Sequence, residues 1–273
     1  SATPIPRTLA LIIYGDLDVS LLDELPPGRK PIKTYLVPEH KRGAMYEFIK
    51  KQIENGHQAY IVCPLIDESE ALDTVKSATE LFNELKEGRF CEENIALLHG
   101  KLSAADKTRI ISAFNDGGLK VLVSTTVVEV GIDVANATVM VIESADRFGL
   151  AQLHQLRGRV GRGAEESYCF MLSGTSTPET LERLRTLVNN SDGFAIAQKD
   201  LELRGPGEFL GTHQHGIDEL NMASLLKDMT LVSQAQAAAA YILSGAASKT
   251  EKDVIVNTVM KRYRKKFKEI TIN

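Results

Sequence analysis

Ala59-Tyr-Ile-Val-Cys-Pro-Leu65 is the stretch whose reading decides the fold. It is apolar throughout, with none of the polar alternation of a strand that faces water on one side. A strand buried on both faces is the condition of a parallel sheet covered by helices above and below. Outward from it, strands and helices alternate. Residues 32–37 form a short apolar run, and 39–55 read as a helix with Gly56 placed as its stop. Downstream, 68–87 carry Leu72, Val75, Ala78, Leu81, Phe82 and Leu85 at helical spacing. Residues 95–98 make a strand closed by His99-Gly100. Residues 103–115 make a helix with Ser103 as cap and Asp106 in the reciprocal position, stopped by Gly117-Gly118. Residues 121–123, 139–142 and 168–172 supply three more strands. This alternation predicts an α/β domain, a doubly wound parallel sheet with helices on both faces, over about 32–175.

The flanks read differently. Residues 1–31 are the tail of a preceding domain and a linker, ending in the cluster Pro26-Pro27-Gly28. Beyond Ser176 the strands stop. Residues 178–188, 231–243 and 251–268 read as helices, giving a smaller, mostly helical C-terminal region over 176–273. Between them, 203–216 is too rich in glycine and proline to be helix or strand. The 273-residue chain is ordinary in composition, with 43% hydrophobic and 25% charged residues. Its net charge of −4 excludes a protein that coats nucleic acid by bulk charge. It leaves room for one that grips phosphates at chosen points. No apolar run approaches the ~20 residues of a membrane span, and three scattered cysteines offer neither metal spacing nor a disulfide framework. A cytoplasmic protein without membrane contact is therefore expected.

The chemistry concentrates in Gln155-Leu-Arg-Gly-Arg-Val-Gly-Arg162. Arg159 and Arg162 lie three residues apart, so both can point at one ligand. Arginine is permanently charged and presents a planar fork of donors that matches phosphate oxygens. The bland alternative is a solvated basic helix face. Ligands of a doubly wound sheet are expected outside the carboxyl ends of its strands, and the polar groups of this chain are expected to gather there. Ser124, Thr125 and Thr126, then Gly131-Ile-Asp133, follow the strand at 121–123. Such small hydroxyl residues donate to phosphates, although they also serve as helix caps. Gly100 precedes a capped helix and lets a phosphate approach the backbone. The chain has no G-x-x-x-x-G-K-[ST] loop, so it reads as a fragment lacking the half that cradles a triphosphate. The basic run 261–268, with Tyr263 and Phe267 interleaved, fits a phosphate surface and a solvated helix face equally well.

Gln155-x-x-Gly158-Arg159-x-Gly161-Arg162 resembles the last motif of superfamily-two helicases, and the longer string from Arg147 to Gly163 resembles the RecG family of DNA helicases. Ser1-Ala-Thr-Pro-Ile-Pro-Arg-Thr8 resembles that family's third motif, and residues 124–133 its fifth. Asp200-Leu-Glu-Leu-Arg-Gly-Pro-Gly-Glu-Phe-Leu-Gly-Thr212 resembles the translocation element that RecG shares with the transcription-repair coupling factor. The resemblance implies a second RecA-like motor domain followed by a translocation loop. It implies an ATP-dependent DNA helicase that remodels stalled forks and Holliday junctions in repair and recombination. Arg159 and Arg162 would then be catalytic, with Gln155, Gly131 and Asp133 facing the nucleotide. Gly100, Thr125, Ser1 and Thr3 would serve DNA binding, and Arg204 and Gln214 the coupling of motor closure to movement. ATP and Mg²⁺ would be held mainly by the first RecA-like domain, outside this chain, and branched or duplex DNA would be engaged together with a wedge domain. His213 departs from the arginine usual in that loop, and a histidine can still donate there. Two other readings share these features: the coupling translocase, and a non-catalytic nucleic-acid-binding module.

Overall fold

The computed structural model describes residues 29–64, 71–125, 134–204, 229–245 and 248–270. Of these, residues up to 199 belong to one compact unit and those from 200 onward to a second. The first unit is built on six strands: β1 (Lys33–Val37), β2 (Gln58–Cys63), β3 (Ile95–Leu98), β4 (Val121–Thr125), β5 (Ala137–Ile142) and β6 (Tyr168–Leu172). They lie in the order β1-β6-β5-β2-β4-β3, and every neighbouring pair is parallel. β2 is central and wholly buried, as its unbroken apolar run requires.

Alternate residues of each strand feed two separate cores. Ala59, Ile61, Val121, Val123, Val139 and Val141 face Met45, Tyr46, Ile49 and Ile53 of α1 (Arg42–Glu54) and Leu85 of α2 (Ala71–Glu87). Tyr60, Val62, Leu122, Met140 and Ile142 face the opposite way. They meet Phe114 of α3 (Ala104–Asn115), Leu150, Leu153 and Leu156 of α4 (Leu150–Arg157), and Leu184 and Leu187 of α5 (Pro178–Asn189). Chain direction explains the split. From β1 to β2 and from β2 to β3 the chain moves toward one edge and uses α1 and α2. From β3 to β4 and from β5 to β6 it moves back and uses α3 and α4. Right-handed crossovers exchange faces when the direction reverses. The doubly wound, RecA-like sheet expected from the sequence is present.

Local signals behave as their chemistry dictates. Ser103 caps α3, its Oγ accepting from the Asp106 amide at 3.1 Å while its hydroxyl donates to the Asp106 carboxylate at 2.7 Å. Gly56 ends α1 with a φ of 92°, the left-handed conformation that favours glycine. The expected 39–55 helix begins instead as a 3-10 turn, Glu39–Lys41, before α1. The sequence reading placed no helix over α6 (Gly193–Arg204), because its apolar residues do not form one stripe. In the second unit, α7 (Met229–Leu243) and α8 (Lys249–Ile270) pack together. The Ser248 and Glu251 side chains form a reciprocal cap at the start of α8.

Candidate functional site

The arginine octet stands at the amino edge of the sheet. α4 runs antiparallel to the strands and ends at Gly158, whose N–H reaches the His154 carbonyl at 3.0 Å. The chain then turns through Gly161, with φ 75°. A Cβ on Gly161 would lie 2.9 Å from Ile32, the residue before β1, and one on Gly163 would lie 2.8 Å from the carbonyl oxygen of Ala135, just before β5. Ser167, just before β6, also borders Gly161, and its carbonyl accepts from the Lys33 amide at 2.9 Å. Every one of these neighbours precedes a strand. The expectation that the polar groups gather at the carboxyl ends is therefore corrected for this turn. α4 delivers Arg159 and Arg162 to the opposite edge because a helix returning from β5 to β6 must end where β6 begins.

Within the octet the arginines divide by environment. Arg157 is 5% exposed and donates to the carbonyls of Leu187 at 2.8 Å, Asn190 at 2.7 Å and Ser191 at 3.3 Å. These carbonyls lie at the C-terminal end of α5 or just beyond it, where the helix leaves acceptors without intrahelical donors and a cation is favoured. Burial pulls the pKa of Arg157 down, as expected for a cation removed from water. Arg159 is half-buried and Arg162 exposed, its Nε 3.4 Å from the Gly158 carbonyl. Gln155 is half-buried on α4. Burial, followed by the nearby charge of Arg157, pulls His154 down to about 4, so its imidazole is neutral near pH 7.

The carboxyl edge holds the other candidates. Thr125 is the last residue of β4, opposite Cys63 of β2, and is buried; the Ser124 hydroxyl donates to its carbonyl. The strand thus extends two residues beyond the expected 121–123. Gly100 follows β3, and a Cβ placed on it would meet nothing within 4 Å. Its carbonyl accepts from Lys107 Nζ at 2.6 Å. Beside it, burial and then Lys101 and Lys107 lower the pKa of His99, whose Nδ1 is buried without a hydrogen-bond partner. Sequence reasoning missed Glu143, which follows β5 and is buried against Arg42 and Tyr46. No periodicity marks it, because its partners lie about a hundred residues away. Ser144, next in the chain, has φ 46°, the only positive φ outside glycine among the described residues.

Arg204 is the last residue of α6, while Ser1, Thr3, Gly131, Asp133 and Gln214 lie outside the described residues. Val134 and Ala135, which follow Asp133 directly, lie at the amino edge with the arginine turn. Among the described residues no group of three or more His, Cys, Asp or Glu could hold a metal ion. No described helix is long and apolar enough to cross a membrane.

Residues 40–164 match the model of the helicase conserved C-terminal domain, the class that this sheet and its arginine turn define. Residues 190–273 match the model described as ATP-dependent DNA helicase RecG, domain 3, C-terminal. The chain is 53% identical over 236 residues to the ATP-dependent DNA helicase RecG of Thermotoga maritima, covering 86% of this chain and 30% of the relative. The Bacillus subtilis protein of that name is 46% identical over 247 residues, covering 90% of this chain and 36% of the relative. A solved structure of RecG bound to a three-way DNA junction aligns with a TM-score of 0.67 at 50% identity, over 85% of this chain and 30% of that one. The chain thus matches the C-terminal helicase domain and the domain 3 C-terminal region of RecG helicases, and spans about a third of the length of these relatives.

Proposed function

We propose that this chain is the second motor domain and translocation element of an ATP-dependent DNA helicase that remodels branched DNA, including stalled forks and Holliday junctions, in cytoplasmic repair and recombination. Residues 32–175 make the motor sheet, 176–273 the helical region that carries the translocation loop, and 1–31 the link to a first RecA-like domain. The observation that carries this reading is the separation of the two edges. The arginine turn faces one way along the strands, and Gly100 and Thr125 face the other. A motor that couples a nucleotide to a track needs two such faces on one rigid body.

On the amino edge, Arg159 and Arg162 meet the charge that develops on the transferred phosphoryl group. Gln155, with Gly131 and Asp133 outside the described residues, is assigned to the nucleotide. Mg²⁺ and the attacking water are held by the first domain. On the carboxyl edge, Gly100 and Thr125 meet the DNA backbone. Ser1 and Thr3, outside the described residues, are assigned to DNA binding and to linking nucleotide state with that grip. Arg204 and Gln214 convert closure into movement along the DNA.

The test compares ATP hydrolysis with unwinding of a three-way junction on the same preparations of the longer protein carrying Arg204→Ala or Gln214→Ala. Hydrolysis retained with unwinding lost is the expected result. A parallel fall of both, or of neither, refutes the coupling role. The 273-residue chain alone is expected to show no DNA-stimulated hydrolysis; turnover by it would overturn the two-domain reading.

A further inference from the structure

The carboxyl edge carries one charged side chain whose surroundings are unusual for a plain ion pair. Arg42 opens α1, just beyond the carboxyl end of β1, and divides its guanidinium between two carboxylates. Nη1 donates to Glu143 Oε1 at 2.7 Å and lies 3.4 Å from the Tyr46 hydroxyl, which itself donates to Glu143 at 3.2 Å. Nε and Nη2 donate to the two oxygens of Glu39 at 2.7 and 3.1 Å.

The two carboxylates are held very differently. The Glu143 side chain is 11% exposed and that of Glu39 74%, with Arg42 between them at 29%. An exposed pair contributes little and exchanges readily with water or another anion. Stripping the partner from a buried charge costs far more. The Glu143 contact is therefore the fixed one, and the Glu39 contact the replaceable one. Glu39 also occupies the Nε–Nη2 side of the guanidinium, the bidentate edge that phosphate oxygens match.

We propose that Arg42 is a phosphate-binding residue of the carboxyl edge: Glu143 and Tyr46 fix its guanidinium, and one backbone phosphate of DNA takes the place of Glu39 on the Nε–Nη2 edge. The inference rests on the reading of this edge as the DNA-facing one. Strand order puts Gly100 after β3, Thr125 at the end of β4 and Glu143 after β5, in line along that edge. β3 and β5 are three strand spacings apart, roughly 14 Å, which a polynucleotide backbone can span. Exposed Lys41 adds positive charge beside Arg42.

The experiment measures binding of a fluorescein-labelled three-way DNA junction to the longer protein over a series of salt concentrations. Arg42→Gln is expected to weaken binding about tenfold and to lower the slope of log K against log salt by about 0.9, the loss of one phosphate contact. A purely structural role would leave that slope unchanged. Glu39→Gln, at an exposed position that folding does not require, is expected to tighten binding, and the gain is expected to vanish when Arg42→Gln is also present. A gain that persists in that background is a general charge effect and overturns the proposal. The Arg42→Gln/Glu143→Gln pair, which strands no buried carboxylate, must show the same reduced slope if Arg42→Gln alone folds poorly. A slope that falls with Lys101→Ala but not with Arg42→Gln defeats this inference alone. If the unaltered protein does not bind the junction, the DNA-facing reading fails with it.

Discussion

At the amino edge an added Cβ on Gly161 would press on Ile32 at 2.9 Å, whereas at the carboxyl edge an added Cβ on Gly100 meets nothing within 4 Å. Both glycines stand beside backbone that a phosphate is expected to approach, yet they answer opposite demands. Gly161 is required by the protein itself, through a φ of 75° and tight packing. Gly100 leaves space that the described chain does not fill. The arginines of the octet divide in the same way. Arg157 turns inward to three carbonyls, and Arg162 is exposed. A motif therefore mixes residues that build an edge with residues left exposed on it, and only packing separates the two.

The largest effect that could break this distinction concerns turnover. Arg159→Ala or Arg162→Ala in the longer protein is expected to cut DNA-stimulated ATP hydrolysis by about 10³-fold with little loss of DNA affinity, since transition-state charge is stabilised rather than ground-state binding. Near-normal steady-state rates in both variants would remove these residues from the nucleotide face. Arg157→Ala is expected to act on folding instead, costing about 2–4 kcal/mol in urea unfolding because buried carbonyls lose a charged donor. A stability equal to that of Arg162→Ala would show that the inward contacts are dispensable.

Smaller effects sharpen the contrast between edges. Gly161→Ala is expected to cost about 1–3 kcal/mol, given a left-handed backbone and a crowded Cβ. Gly100→Ala should change stability by less than about 0.5 kcal/mol while weakening junction binding in a titration. The reverse ranking would undo the assignment of the two edges. The smallest effect is one of pH. The folded-state pKa of His154, about 4, lies below its ordinary value of 6.5. The unfolded chain then binds more protons within that window, so stability present above pH 6.5 is lost as pH falls toward 4. Thermal melts across the window should show His154→Gln losing less than the unaltered chain; identical pH profiles would contradict the burial argument.

The sheet was legible because its signals are local. Runs such as 59–65, the cap at Ser103 and the stop at Gly56 each act within a few residues, and each appears in the structure close to where it was expected. The octet was legible as a glycine-held turn of arginines, but its edge was not, since that depends on which strands α4 connects. The inward turn of Arg157 and the burial of Glu143 depend on residues distant in sequence, Leu187 and Asn190 for one and Arg42 for the other. α6 escaped notice because only Ile196 and Ala197 of its first turns are buried apolar residues.

Among the described residues β6 is the last strand in sequence but not in the sheet: it lies between β1 and β5. The helicase match ends at 164 and the RecG-specific match begins at 190, so β6 and α5 fall in the gap between them. A truncated chain stopping at 164 would keep five strands but lose the one that joins β1 to the rest. It would expose two strand edges to other molecules and strip Arg157 of Leu187, Asn190 and Ser191. The contacts that hold this sheet and Arg157 together therefore extend to Ser191, beyond the residue at which the helicase match ends.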